Sequence, residues 1–238
     1  MSQDAHGLGE FYSQPAGQIA ARLLRHRLRA LWPSAKGEAV LGLGYASPYL
    51  RLWRTDAARC VCLIPSHQRP WRWPRKGLGR TAIAEEDALP FPDLSFDKIL
   101  LVHGLEVAEN ARRMLREAWR VLKDDGKLLV VVPNRLGLWT LRESSPFGHG
   151  QPYSAGQLEA LLRRQMFRME RRDQALFMPP FRTRLLLRGS GPWERVGQSL
   201  FPRFGGLTLM EAHKDMFAGL PVNTAPMRRR VVVAERRA

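Results

Sequence analysis

Three short stretches of this chain hold residues suited to chemistry. The first, Val40-Leu41-Gly42-Leu43-Gly44-Tyr45-Ala46-Ser47-Pro48, puts two glycines where an apolar run gives way to a turn. Glycine directly after a parallel strand lets the backbone approach a ligand at the carboxyl edge of a sheet, although a tight strand-to-helix turn has the same need. Pro48 suits the first position of a helix, with Ser47 as its N-cap. The second, Glu85-Glu86-Asp87-Ala88-Leu89-Pro90-Phe91-Pro92-Asp93, continues through Ser95-Phe96-Asp97 into an apolar run that ends at His103-Gly104-Leu105-Glu106. His103 is a candidate general base or a hydrogen-bonded wall residue. Glu106 is expected to open the next helix, where an acid complements the dipole. The third, Glu117-x-x-Arg120-Val121-Leu122-Lys123-Asp124-Asp125-Gly126, reads as structural through Glu117 and Arg120.

Other residues have two readings each. His149 and Tyr153, in a glycine-rich stretch, are placed to close over an acceptor or to serve as simple connection. Trp71 and Trp73 among basic residues suit stacking on nucleotides or filling a surface groove. Glu211 and His213 alternate with apolar residues and read as a solvated strand face. Cys60 and Cys62 are read as pointing to opposite faces of a strand, giving neither a disulfide nor a metal site. No metal centre is expected.

The elements that must position these residues follow from periodicity. Ile19, Leu23, Leu24, Leu28 and Leu31 recur at helical spacing across 18–32, with Arg22, Arg25 and Arg29 opposite and Pro33 as the stop. Runs at 38–44, 59–65, 81–86, 96–104 and 127–133 are continuously apolar, as strands buried on both faces of a parallel sheet must be. A helix is expected over 105–122 and another over 155–166, capped by Ser154. Strands at 167–177 and 206–214 and a partly helical stretch at 181–204 complete the pattern. This is an α/β, doubly wound, mostly parallel sheet. The expected organisation is an N-terminal helical segment 1–35, an α/β domain 36–218 with a lid 135–153 and an insertion 178–205, and a basic tail 219–238.

The LPF-x-D-x-SFD segment at 89–97, His103-Gly104-Leu105-Glu106-Val107, and the E-x-x-RVLK-x-x-G turn at 117–126 stand in the order and spacing of a known family. Together they resemble class I S-adenosylmethionine-dependent methyltransferases of type 11, the group that includes ubiquinone and menaquinone biosynthesis enzymes. The resemblance covers about residues 36–135. It implies a Rossmann-like sheet of seven strands, the last antiparallel, and S-adenosylmethionine as cofactor. By position it implies cofactor contacts at Gly42, Gly44, Tyr45, Ser66, Glu85, Glu86, His103 and Gly104, with Gly44 as the key glycine, Glu85 as the acid on the adenine side and His103 and Gly104 as the wall after the fourth strand. A hydroxyl or amine acceptor would need a base, for which His103 and His149 are the candidates. The sequence also departs from the family. The acid of the first motif falls on Gly42, and its later glycines fall on Ala46 and Pro48. No Asp or Glu lies between Asp56 and Glu85 to hold the ribose, leaving Ser66, His67 or Gln68 in that place.

Methyl transfer is an in-line displacement on a sulfonium, so positioning and water exclusion suffice and no nucleophile is needed. The expected function is methyl transfer to an unidentified acceptor, a small molecule by preference. The alternatives are an inactive methyltransferase-like binding subunit and an RNA methyltransferase or RNA-binding protein. The 238 residues, 45% hydrophobic, make a full-sized domain and exclude a disordered chain. No run spans a bilayer and no signal peptide is visible, so a cytoplasmic location is expected. The net charge of +16 points to RNA or an anionic surface as partner; only six of the 38 basic residues are lysine, so biased coding is the blander explanation. The tail or lid is the expected place for a protein partner.

Overall fold

In a computed structural model, the structure describes residues 3–66, 72–74, 76–140, 146–148, 150–179 and 190–216. Two helices lead the chain, α1 (Gln3–Ser13) and α2 (Pro15–Leu31). Next come β1 (Ala39–Gly44), the single turn α3 (Ser47–Leu50), β2 (Arg59–Pro65), β3 (Thr81–Ala84) and β4 (Phe96–Val102). Then follow α4 (Ala111–Val121), β5 (Leu122–Pro133), α5 (Ala155–Arg164), β6 (Phe167–Ala175), α6 (Ser190–Leu200) and β7 (Leu207–Lys214). The seven strands form one sheet in the order β3-β2-β1-β4-β5-β7-β6. β7 runs antiparallel to both neighbours and the other strands are parallel. The chain order reverses between β1 and β4, so the crevice at their carboxyl ends is the topological switch point.

The continuous apolar runs have a simple cause: successive side chains feed opposite faces, and both faces are covered. Val40, Leu100, Val102, Leu129 and Val131 pack under α1, α2 and α3. Leu41, Leu43, Ile99, Leu101, Leu128 and Val130 pack under α4 and α5. Cys60 and Cys62 both belong to the first layer and share one face of β2, because residues two apart in a strand point the same way; the expected opposite faces are corrected. Both thiols are free, and burial pushes them up to about 11 and about 12.

Local chemistry sets several boundaries. Ser154 and Gln157 form a reciprocal capping box that starts α5 as expected. α4 starts at Ala111 rather than 105, because the Asn110 side chain caps it by accepting from the Arg113 amide. Residues 103–110 are used in turns, so Glu106 does not open a helix. Ser47 is not a cap: α3 follows Ala46, and no side chain caps it. Between Ser66 and β3 the described residues contain no helix, as the prolines there forecast. Trp73 packs on the first layer, in line with groove filling, whereas Trp71 lies outside the described residues. Sequence periodicity did not reveal α1, whose Gly7 and Gly9 are poor helix formers. Tertiary contacts hold it instead, through buried Leu8 and Tyr12.

Candidate active site

The switch point is built from main chain first. Gly44 ends β1 at φ +64°, and a Cβ there would stand 2.4 Å from the Val102 carbonyl oxygen, so only glycine fits. The Tyr45 amide donates to that same carbonyl at 2.6 Å. Gly104 packs beside Gly44 less tightly, since its Cβ would meet a side-chain end, Leu101 Cδ1, at 2.8 Å. Gly42 is buried beneath α3, and Leu50 Cδ1 would lie 2.5 Å from a Cβ there. Its missing side chain therefore makes room for the helix. Gly44, Tyr45, His103 and Gly104 are thus brought together, with Gly42 behind them.

His103 is the most constrained side chain at this edge. It sits at φ +50°, a left-handed conformation uncommon outside glycine, and is buried. Its Nδ1 lies 2.9 Å from Glu106 Oε1 and its Nε2 lies 2.8 Å from the Tyr12 hydroxyl. A carboxylate only accepts, so Nδ1 carries the hydrogen, and in the neutral imidazole Nε2 accepts from the Tyr12 hydroxyl. Burial pushes the Tyr12 phenol well up, and neighbouring Tyr49, Tyr45 and Glu106 push it further, which keeps that proton in place. The Phe147 ring stacks on the imidazole at 5.2 Å. Tyr12 in turn stacks on Tyr45 at 5.2 Å, with the planes 13° apart.

Glu106 Oε2 is buried with no hydrogen-bond partner among the described residues. An orphaned carboxylate oxygen of this kind is costly unless a ligand or water completes it. Glu106 also lines an open cavity of about 630 Å³ together with Asn110, Arg112, Gly150, Gln151 and Tyr153. Burial, and then the Glu106 charge, raise the Tyr153 phenol.

A second group forms at the ends of β2 and β3, where the Ser66 hydroxyl donates to Glu85. The register of β3 on β2 thus brings an acid, Glu85, beside the residue that follows β2. Glu86 follows Glu85 and is half-buried. His67, Gln68 and His149 lie outside the described residues. Glu211 and His213 are corrected: Glu211 is buried rather than solvated, accepting from Trp32 Nε1 at 2.5 Å, and His213 is half-buried beside Arg168. Glu117 and Arg120 are structural as expected, with Arg120 bridging Glu117, Asp93 and the Leu89 and Phe91 carbonyls. Tyr12 and Phe147 escaped the sequence reading; the only trace was the Leu8–Tyr12 spacing of four, one helical turn. Among the described residues no cluster of His, Cys, Asp and Glu could hold a metal, and no helix is long and apolar enough to cross a membrane.

This sheet order, with a glycine turn at the switch point, defines the class I methyltransferase architecture. Residues 40–130 match the family model described as a methyltransferase domain. Over 223 residues it is 28% identical to the uncharacterized protein YafS of Escherichia coli, covering 90% of this chain and 82% of YafS. It is 42% identical over 59 residues to the ubiquinone/menaquinone biosynthesis C-methyltransferase UbiE of Laribacter hongkongensis, which is 25% of this chain and 23% of UbiE. The fold superposes on an S-adenosylmethionine-dependent methyltransferase of Thermotoga maritima with a TM-score of 0.62, at 19% identity, over 87% of this chain and 93% of that one. At that identity the likeness speaks for the fold alone.

Proposed function

We propose that this protein is an S-adenosylmethionine-dependent methyltransferase acting on a small-molecule acceptor. The observation that carries the reading is the orphaned Glu106 Oε2 beside His103, just past the carboxyl end of β4. Backbone at Gly44, Tyr45, His103 and Gly104 would hold the methionine end, and Ser66 with Glu85 would hold the ribose hydroxyls, with Glu86 flanking them. In this reading one acid reached through Ser66 replaces the acid that the family carries after β2. The cofactor supplies the methyl group on a sulfonium; the protein orients it and keeps water away. Glu106 fixes the imidazole so that His103 Nε2 is the nitrogen free to take a proton from an acceptor hydroxyl or amine once Tyr12 gives it up. His149 stays a second candidate base. A cytoplasmic location belongs to the same proposal, supported by two free buried thiols.

Calorimetric titration with S-adenosylmethionine and S-adenosylhomocysteine tests this. The expected result is binding that weakens about tenfold in Ser66→Ala and in Glu85→Ala, as loss of a charge-assisted hydrogen bond predicts. Heat changes absent from the wild type at millimolar cofactor would contradict it.

One observation favours a second reading, a methyltransferase-like binding subunit. Tyr12 fills the switch point and occupies His103 Nε2. Tyr12→Ala separates the two: cofactor binding in wild type and variant supports the enzyme, and none in either supports the binding subunit.

A further inference from the structure

The carboxyl edge of the sheet also carries an apolar surface that the methyltransferase reading does not use. Glu194 anchors α6 by accepting from the Leu176 and Phe177 amides at 2.9 and 2.8 Å. Gly197 packs on Phe177, and Gln198 accepts from Arg27 at 2.6 Å. With that face committed, the other face turns outward: Val196, Leu200, Phe201 and Phe204 are 48%, 65%, 58% and 50% exposed. The segment after β5 adds Leu136 and Leu138, 56% and 48% exposed. The two segments are adjacent, because Asn134 Nδ2 donates to the Arg203 and Gly205 carbonyls at 3.0 and 2.7 Å. Exposed apolar residues in one contiguous group mark an interaction site, whereas scattered ones do not.

Charge selects the partner. Arg135, Arg195 and Arg203 are exposed around these residues. None of the three has a carboxylate within 4.0 Å among the described residues. The one acid in 190–206 is Glu194, which is buried. A protein of net charge +16 thus presents aliphatic and phenyl groups interleaved with arginine and without an exposed acid. That pairing suits the boundary between anionic headgroups and acyl chains.

We propose that α6, the turn after it and residues 135–138 dock this protein on an anionic phospholipid surface. This stands independently of the methyltransferase reading. Docking would set the switch-point crevice toward the bilayer, since β5 ends and β7 begins at the same edge.

Co-sedimentation of the full chain with vesicles of phosphatidylcholine alone and of phosphatidylcholine with phosphatidylglycerol tests it. Binding about tenfold or more tighter to the anionic vesicles is expected. It should fall about tenfold again in Leu200→Ser/Phe204→Ser, whose side chains are already exposed, with an unchanged circular dichroism melt as control. Equal binding by wild type and this variant would overturn the proposal by showing that net charge alone acts. No vesicle binding at low salt would overturn it too, and tight RNA binding or a protein dimer lost in the same variant would then name the true occupant. Cofactor titration of the variant keeps this outcome separate from the activity.

Discussion

The two edges of the sheet handle polar groups in opposite ways. At the amino edge charges are matched among themselves. Asp97 accepts from the Ala39 amide at 2.8 Å and from Lys123 at 2.6 Å. Lys98 reaches Glu38 and the Ser34 carbonyl, Lys127 reaches Glu170 and Glu211, and Trp32 donates to Glu211. At the carboxyl edge the pattern is aromatic and incomplete. Glu106 Oε2 and Thr208 Oγ1 are buried without partners among the described residues. Unsatisfied buried polar atoms persist where a site needs them. One edge is closed on itself and holds the fold, while the other leaves buried polar atoms unpaired among the described residues.

Gly44→Ala is the most severe way to break this comparison. A Cβ at φ +64° against the Val102 carbonyl should cost about 3 kcal/mol of stability. Cofactor binding should vanish with it, as chemical denaturation and calorimetry together would show. Glu211→Ala strikes the other edge. Leaving the buried Trp32 Nε1 unpaired should cost about 2 kcal/mol, yet cofactor affinity should stay within twofold; a large loss of affinity would mean that the edges are not separate. Tyr12→Phe deletes one buried hydrogen bond to His103 and should cost about 1 kcal/mol in a urea titration.

The smallest expected effect is in pH, and it separates the edges by sign. Against burial, the Ala39 amide and Lys123 hold Asp97 below the usual carboxylate range, while Arg120 does so for Glu117 and Lys127 for Glu170. Their contribution is complete above about pH 4 and is lost as pH falls through the lowered values. Burial raises Tyr12, so its contribution is complete below about pH 10 and is lost as pH rises further. Denaturation midpoints should therefore fall in acid for the amino edge, and in alkali less steeply for Tyr12→Phe than for wild type.

What could be read from the sequence was local or strongly patterned. Strands β1, β2, β4 and β5 announced themselves because both faces of a parallel strand are apolar, and the turns at Gly44 and 89–97 carried family spacing. What escaped depends on partners distant in the chain. Tyr12 meets His103 across 91 residues, and Trp32 meets Glu211 across 179. No period or cap signals such pairs, so Glu106 was placed in a helix and Glu211 in solvent. The Ser66–Glu85 contact was likewise invisible, because it depends on the register of β2 against β3.

A crystal structure with S-adenosylhomocysteine would show most directly whether the carboxyl edge holds the cofactor. The ligand should lie across the carboxyl ends of β1 and β2, against Gly44 and the Ser66–Glu85 pair, with the Tyr12–His103 hydrogen bond broken. Crystals grown at saturating ligand that still show Tyr12 on His103 and nothing at Gly44 would contradict it.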